Sequence, residues 1–223
     1  MKLSVEGAIV KEGGKRLLGP ISLELNLSGV IVVLGHNGAG KSTFLRLIHG
    51  LLQADAGQIR WDDRPARETR RQRGFVFQKT PLMRRSVAEN VAFPLRVAGW
   101  SASDISSRVA QLLVDAQLED KAQLAAASLS GGEQQRMALA RALAHDPAVV
   151  LLDEPSANLD PASTQRLETM IHQIRDEGGH VIMSTHDREQ AARLANWVMV
   201  FDNGHLGHLG AAKEYFASDG AVQ

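Results

Sequence analysis

The chain has 223 residues, enough for one domain or one domain with an insertion, and its 25 basic side chains balance 25 acidic ones. That balance excludes a net-charge attraction to nucleic acid or acidic membranes, and the lack of cysteine excludes disulfides, thiolate metal sites and cysteine nucleophiles. No apolar run approaches the roughly 18 residues that span a bilayer, and Glu6 and a Glu-Gly-Gly turn precede any possible signal-peptide core, so a soluble chain is expected.

In chain order, the pattern predicts strands over 3–10 and 21–27 around a turn at 12–15. Leu23, Leu25 and Leu27 alternate with Glu24 and Asn26, as in a half-exposed antiparallel sheet. The apolar run 30–34 predicts a buried strand, and the stretch after it, 35–43, reads GHNGAGKST. This fits G-x-x-x-x-G-K-[ST], with strand before and helix after, which argues against a mere glycine-rich turn. The glycines let successive backbone N–H groups form a nest for phosphate oxygens, and the following helix points its positive end at the same anion. Gly35, His36, Asn37, Gly38, Ala39, Gly40, Lys41, Ser42 and Thr43 are therefore the candidate phosphate contacts. Lys41 is expected to reach the β- and γ-phosphates, and the Ser42 hydroxyl to ligate Mg²⁺.

The helix ends at Gly50, and a turn at 54–57 leads to a short strand over 58–61. The charged, proline-containing stretch 62–73 reads as solvated loop with some helix. A buried strand over 74–77 ends at Gln78. From Lys79 the character changes: 86–96, 101–118 and 131–145 favour helix and strand-like runs vanish, so 79–145 is read as a helical insertion. The run 148–152 restores the core as a strand covered on both faces. A helix then starts at Asp160-Pro161 and stops at Gly178-Gly179. A strand over 181–184 and a helix over 188–194 follow. Strands 197–201 and 205–209 pair across Asn203-Gly204, and a helix over 211–217 closes the chain. The fold class is α/β: a mainly parallel sheet with an antiparallel β flank and an inserted helical subdomain. One domain spans 1–223, with 1–78 and 146–223 as its core.

Two further stretches carry chemistry. Asp153 and Glu154 end the buried strand, where an open α/β sheet places acidic residues beside the phosphate loop. Asp153 is the candidate Mg²⁺ ligand and Glu154 the candidate general base for water. Ser130-Gly131-Gly132-Glu133 reads locally as a capping box. Two glycines in a first helical turn cost roughly 1 kcal/mol each relative to alanine, and they make sense where a bare helix N-terminus must approach an anion. Three other features are set aside. Trp61 is expected to pack on its own sheet. Arg84-Arg85 could suggest a phosphate or nucleic-acid patch, a reading not preferred. His205 and His208 have odd spacing on a strand, which points them to opposite faces and argues against joint metal ligation.

Taken together, GHNGAGKST at 35–43, Gln78 after FVF, LSGGEQQR at 129–136, VVLLDEP at 149–155, SANLD at 156–160 and His186 in STHD resemble the ATP-binding cassette (ABC) ATPases in order and approximate spacing, over nearly the whole chain. The resemblance implies a phosphate-loop NTPase core that binds ATP and Mg²⁺. It implies two cassettes paired head to tail, with Ser130, Gly131 and Gly132 of one contacting the γ-phosphate of ATP held by the other. It implies that Gln78 ligates Mg²⁺ or water, that His186 stabilises the γ-phosphate and positions Glu154, and that Asp160 helps set the dimer contact. Its implied partners are a second copy, transmembrane permease subunits and a periplasmic or lipoprotein substrate-binding protein, with no nucleic acid and a place on the cytoplasmic face of the membrane.

The run QKTPLMRRSVAENVAFPLRVAG resembles that region of bacterial oxyanion importers, the tungstate type above all. Cassettes of lipid, lipoprotein or drug exporters, and soluble ABC ATPases without a transport role, are the alternatives. The chain departs from the family near the adenine, where Glu12 stands about where an aromatic ring is usual. Weak discrimination between ATP and GTP is expected from it.

Overall fold

In the computed structural model, which describes residues 1–219, the expected strands and helices form with modest shifts at their ends. The last four residues of the expected 1–223 domain lie outside the described residues. The first pair of strands is longer than expected, β1 (Lys2–Glu12) and β2 (Lys15–Asn26), because antiparallel pairing continues across bulges up to Glu12 and Lys15. There follow β3 (Val30–Leu34), α1 (Lys41–His49), β4 (Ala56–Trp61), a two-residue β5 (Arg64–Pro65) that the charge run had concealed, and β6 (Arg73–Val76). The chain continues through α2 (Val87–Val97), α3 (Ala102–Asp115), α4 (Gly131–Leu143), β7 (Val149–Asp153), α5 (Pro161–Asp176) and β8 (His180–Thr185). It closes with α6 (Arg188–Leu194), β9 (Trp197–Asp202), β10 (His205–Ala211) and α7 (Ala212–Asp219).

The strands make two sheets. The larger has the order β10-β9-β3-β8-β7-β6 and is parallel except for the β9–β10 hairpin. The smaller, β2-β1-β4-β5, is antiparallel throughout. Period-2 alternation sorts each continuous apolar run between two cores. Val30, Val32, Leu34, Val150, Leu152, Val181 and Met183 face the core shared with α2 to α6. Ile31, Val33, Val149, Leu151 and Ile182 face the core shared with α1 and the antiparallel sheet. The main sheet is thus the middle layer. Between β6 and β7 the described residues form three α-helices and no strand beyond one isolated bridge, Ser86 to Ala125.

The hairpin forms as its Asn-Gly turn dictates, Asn203 and Gly204 taking φ of 46° and 79°. Its register overturns the argument about the two histidines. A bulge at Gly207 lets His205 pair with Asp202 and His208 with Val200, so both fall on one face rather than on opposite ones. They still do not converge. His205 Nε2 lies 3.3 Å from Arg16 Nη2, while the His208 ring stacks 5.0 Å from Tyr215.

Trp61 packs inside, as expected, donating Nε1–H to the Ile48 carbonyl at 2.7 Å. The buried Arg73 guanidinium lies 5.0 Å over its ring and donates to Thr69 Oγ1, the His49 carbonyl and the Ala66 carbonyl. Beside it, burial pushes His49 down from 6.5 to about 4. The unfolded chain therefore binds this proton at a higher pH than the folded one. The stability that neutral His49 contributes is complete above about pH 6.5 and is lost as pH falls toward 4, on the order of 3 kcal/mol. Chemical denaturation is expected to show lower stability at pH 5 than at pH 7, with a shallower slope in His49→Gln. An unchanged slope in that variant would contradict this assignment.

Candidate functional site

The loop 35–40 crosses from the C-terminal end of β3 to α1. Gly35 must be glycine because a Cβ there would lie 2.4 Å from the Phe201 carbonyl oxygen. Gly40, at φ 101°, is the N-cap of α1 and offers no side chain to cap it. The first-turn amides of α1 thus have no intrahelical acceptor and open on a depression lined by Leu17, 37–43, Gln78 and Glu154. Gly35 and His36 are not part of that lining. His36 is tied sideways, Nδ1 to the Asn37 carbonyl at 2.8 Å and Nε2 to Asp202 Oδ1 at 3.1 Å. Ala39 is buried, its carbonyl accepting from Gly204 N at 3.0 Å, which fastens the loop to the hairpin.

Lys41 folds back across the loop. Its Nζ donates to Gly35 O at 2.7 Å and His36 O at 3.1 Å, and lies 3.1 Å from Glu154 Oε1. Gln78 Nε2 donates to Glu154 Oε2 at 3.4 Å, and His186 Nδ1 lies 3.5 Å from the same oxygen. One carboxylate therefore gathers Lys41, Gln78 and His186 from three separate segments. Its backbone takes φ 45°, and its N–H donates to Ser184 Oγ at 2.9 Å. Asp153 is 1 % exposed, and its Oδ1 accepts from Ser42 Oγ at 2.7 Å and from Ser184 Oγ at 3.0 Å. Its Oδ2 is buried without a hydrogen-bond partner, with Arg46 Nη2 3.8 Å away. A hydroxyl beside a carboxylate with a free buried oxygen suits a hard cation such as Mg²⁺.

The second glycine-rich stretch is elsewhere. Ser130, Gly131 and Gly132 stand at the start of α4 and are absent from the lining of the depression. Ser130 and Glu133 form the expected capping box, at 3.4 Å and 2.9 Å. The Lys121 ammonium, paired with Glu133, is the main cause that holds this carboxyl down at about 2. The two glycines differ. A Cβ at Gly132 would meet Ser163 Oγ at 2.5 Å, so close packing against α5 already demands glycine there. Gly131 is exposed and only Leu159 comes within 4 Å of its Cβ direction, so the argument from a bare helix end applies to Gly131 alone. Asp160 caps α5, accepting from Ser163 N at 2.9 Å. Glu12 sits at the exposed end of β1 opposite Lys15 and does not line the depression.

Leu17, Ser184 and Arg46 escaped the sequence reading. Ser184, the last residue but one of an apolar strand, bonds both acidic neighbours, and only the register of β8 beside β7, which pairs it with Asp153, reveals it.

Residues 18–157 match the family described as ABC transporter. Among curated proteins, the chain is 40 % identical over 219 residues to the Fe(3+) ions import ATP-binding protein FbpC of Streptomyces coelicolor, covering 95 % of this chain and 62 % of that one. It is 41 % identical over 208 residues to the sulfate/thiosulfate import ATP-binding protein CysA of Xylella fastidiosa, covering 89 % and 60 %. The chain thus spans about three-fifths of the length of these import relatives. It is 39 % identical over 211 residues to the cell division ATP-binding protein FtsE of Escherichia coli, covering 91 % of this chain and 95 % of that one. Among solved structures, cbiO1 from Clostridium perfringens, part of the ABC transporter complex cbiONQ, superposes with a TM-score of 0.88 at 29 % identity, covering 99 % of this chain and 92 % of that one.

Proposed function

This chain belongs to the ABC transporter family, and on that premise we propose that it is an ATP-hydrolysing subunit that drives transport through separate membrane subunits. The observation that carries the reading is the convergence of Lys41, Gln78 and His186 within 3.5 Å of the Glu154 carboxylate, at the edge of an uncapped helix N-terminus. The amides of the loop and the Lys41 ammonium bind the phosphates. A phosphate in the depression draws Lys41 away from Glu154 and leaves that carboxylate free to take a proton from water. His186 and Gln78 orient Glu154 and the water. Ser42, Gln78 and Asp153 hold Mg²⁺, which when bound offsets phosphate charge. Catalysis is mostly positioning and charge neutralisation.

Ser130 to Gly132 complete the depression of a second copy, so the active form is a head-to-tail homodimer with two ATP molecules between the chains. The placement of these residues away from their own chain's depression supports this. The 79–145 segment acts as a helical subdomain. No helix among the described residues is long and apolar enough to cross a membrane, so transport requires permease subunits, with the cassette on the cytoplasmic face and a binding protein delivering cargo to the permease. The cargo we assign is an oxyanion of the tungstate type. Its support is the resemblance of 78–99 to such importers and the oxyanion named for one of the relatives above. The 39 % identity to a cell-division ATP-binding protein supports a second reading, a cassette that works on membrane subunits without moving this cargo.

Co-reconstitution with a multi-span permease separates the two. Phosphate release is expected to rise several-fold when an oxyanion-loaded binding protein is supplied. Equal rates with and without the oxyanion would overturn the cargo, and co-purification with nucleic acid or a soluble partner alone would overturn the transport role.

A further inference from the structure

One buried side-chain amide bonds to a residue of a second depression, which adjoins the first at Asn37, Gln78 and Glu154. Gln190, in the first turn of α6, is 1 % exposed. Ser156 Oγ donates to its Oε1 at 2.9 Å, and its Nε2 donates to Glu168 Oε1 at 3.0 Å. Its backbone N–H donates to Asp187 Oδ1 at 3.0 Å. Arg193 clamps Glu168 from the other side, at 2.9 Å and 3.3 Å. Ser156 and Asp187 both line this second depression, which also contains Gln78, Glu154 and His186.

The chemistry of the pair of bonds selects an amide. The same side chain must accept from a hydroxyl and donate to a carboxylate, which a carboxylate or an ammonium cannot do at neutral pH and which an amide does with two separate atoms. Satisfying Glu168 alone does not explain it, because Arg193 already gives that carboxylate two charge-assisted bonds. The end of Gln190 toward the site is spent on Ser156. Ser156 sits in a turn where Glu154 and Asn158 take φ of 45° and 66°, a conformation that non-glycine residues hold only with support from their surroundings.

We propose that Gln190 is a positioning residue for hydrolysis at Glu154, its side-chain amide holding the 154–158 turn through Ser156. The inference rests on the ATPase reading above. A shift of about 1 Å at reacting groups can cost about 10²-fold in rate, so the effect belongs in kcat rather than in nucleotide affinity.

Steady-state hydrolysis by the full chain with Mg-ATP tests this. Gln190→Met is expected to lower kcat by about tenfold or more with KM within about twofold, and Ser156→Ala to lower it in the same manner by a smaller factor. The exchange Gln190→Glu with Glu168→Gln is expected to recover most of the rate, since the new carboxylate accepts from Ser156 and the new amide at 168 donates to it, whereas either single change does not. Unaltered kcat in Gln190→Met and Ser156→Ala, or an exchange no better than its singles, would overturn the proposal. If Gln190→Met does not fold, Ser156→Ala and the exchange decide by the same outcomes. A parent chain without ATP hydrolysis would refute the ATPase reading instead, and an active parent with insensitive variants refutes this inference alone.

Discussion

Glu154→Gln is expected to abolish ATP turnover while leaving ATP bound. The amide keeps the size of the side chain and its place between Gln78 and His186, but it cannot take a proton from water. Losing a positioned general base costs about 10²–10⁴ in rate. Nothing in the phosphate nest changes, because the loop amides and Lys41 are on other segments. The substitution also removes the ion pair that holds Lys41 3.1 Å from Glu154 Oε1, so affinity for ATP is expected to be unchanged or higher. Phosphate release, nucleotide retention and size-exclusion elution in ATP check the three parts, the last expecting a stable dimer. Residual turnover within about tenfold of the parent chain would remove Glu154 from the role of base.

Lys41→Ala is expected to do the reverse, taking away nucleotide binding itself. Lys41 is 4 % exposed and carries the positive charge nearest the loop's interior. Each charge-assisted hydrogen bond to phosphate is worth about 1.5–3 kcal/mol, so affinity should fall by roughly 10- to 100-fold. The parent side chain also bridges the Gly35 and His36 carbonyls and neutralises Glu154, so the empty loop is expected to lose rigidity and some stability. Titration with a fluorescent ATP analogue measures the first effect and thermal unfolding without nucleotide the second. Unaltered affinity would place the phosphates elsewhere.

The parts of the fold written in local pattern could be read directly. The apolar runs 30–34 and 149–152 are strands because they are buried on both faces, and Asn203-Gly204 turns the hairpin because Asn and Gly readily take positive φ in succession. The glycines and lysine of 35–43 announced, through their spacing, the loop that crosses from β3 to α1. What could not be read is long-range. The bulge at Gly207 inverts the parity of His205 and His208, and no local feature of HLGHLG reveals it. Gly132 is required by Ser163, thirty-one positions away, whereas sequence alone assigns both glycines to an anion. Ser184, Gln190 and Glu168 bond across strand and helix neighbours, and a serine after an apolar strand or a glutamine in a short helix carries no signal of that. Motifs marked the groups that gather at the depression; tertiary packing chose the groups that hold them.

We propose that each site is shared between two copies, with the phosphate loop from one chain and Ser130 to Gly132 from the other. Mixing Lys41→Ala chains with Ser130→Arg chains tests it most directly. Each variant alone has both sites damaged, and a mixed dimer regains one site in which an intact loop meets an intact Ser130. Two inactive preparations are expected to recover ATP hydrolysis when mixed. Hydrolysis at the parent rate by Ser130→Arg alone would contradict it.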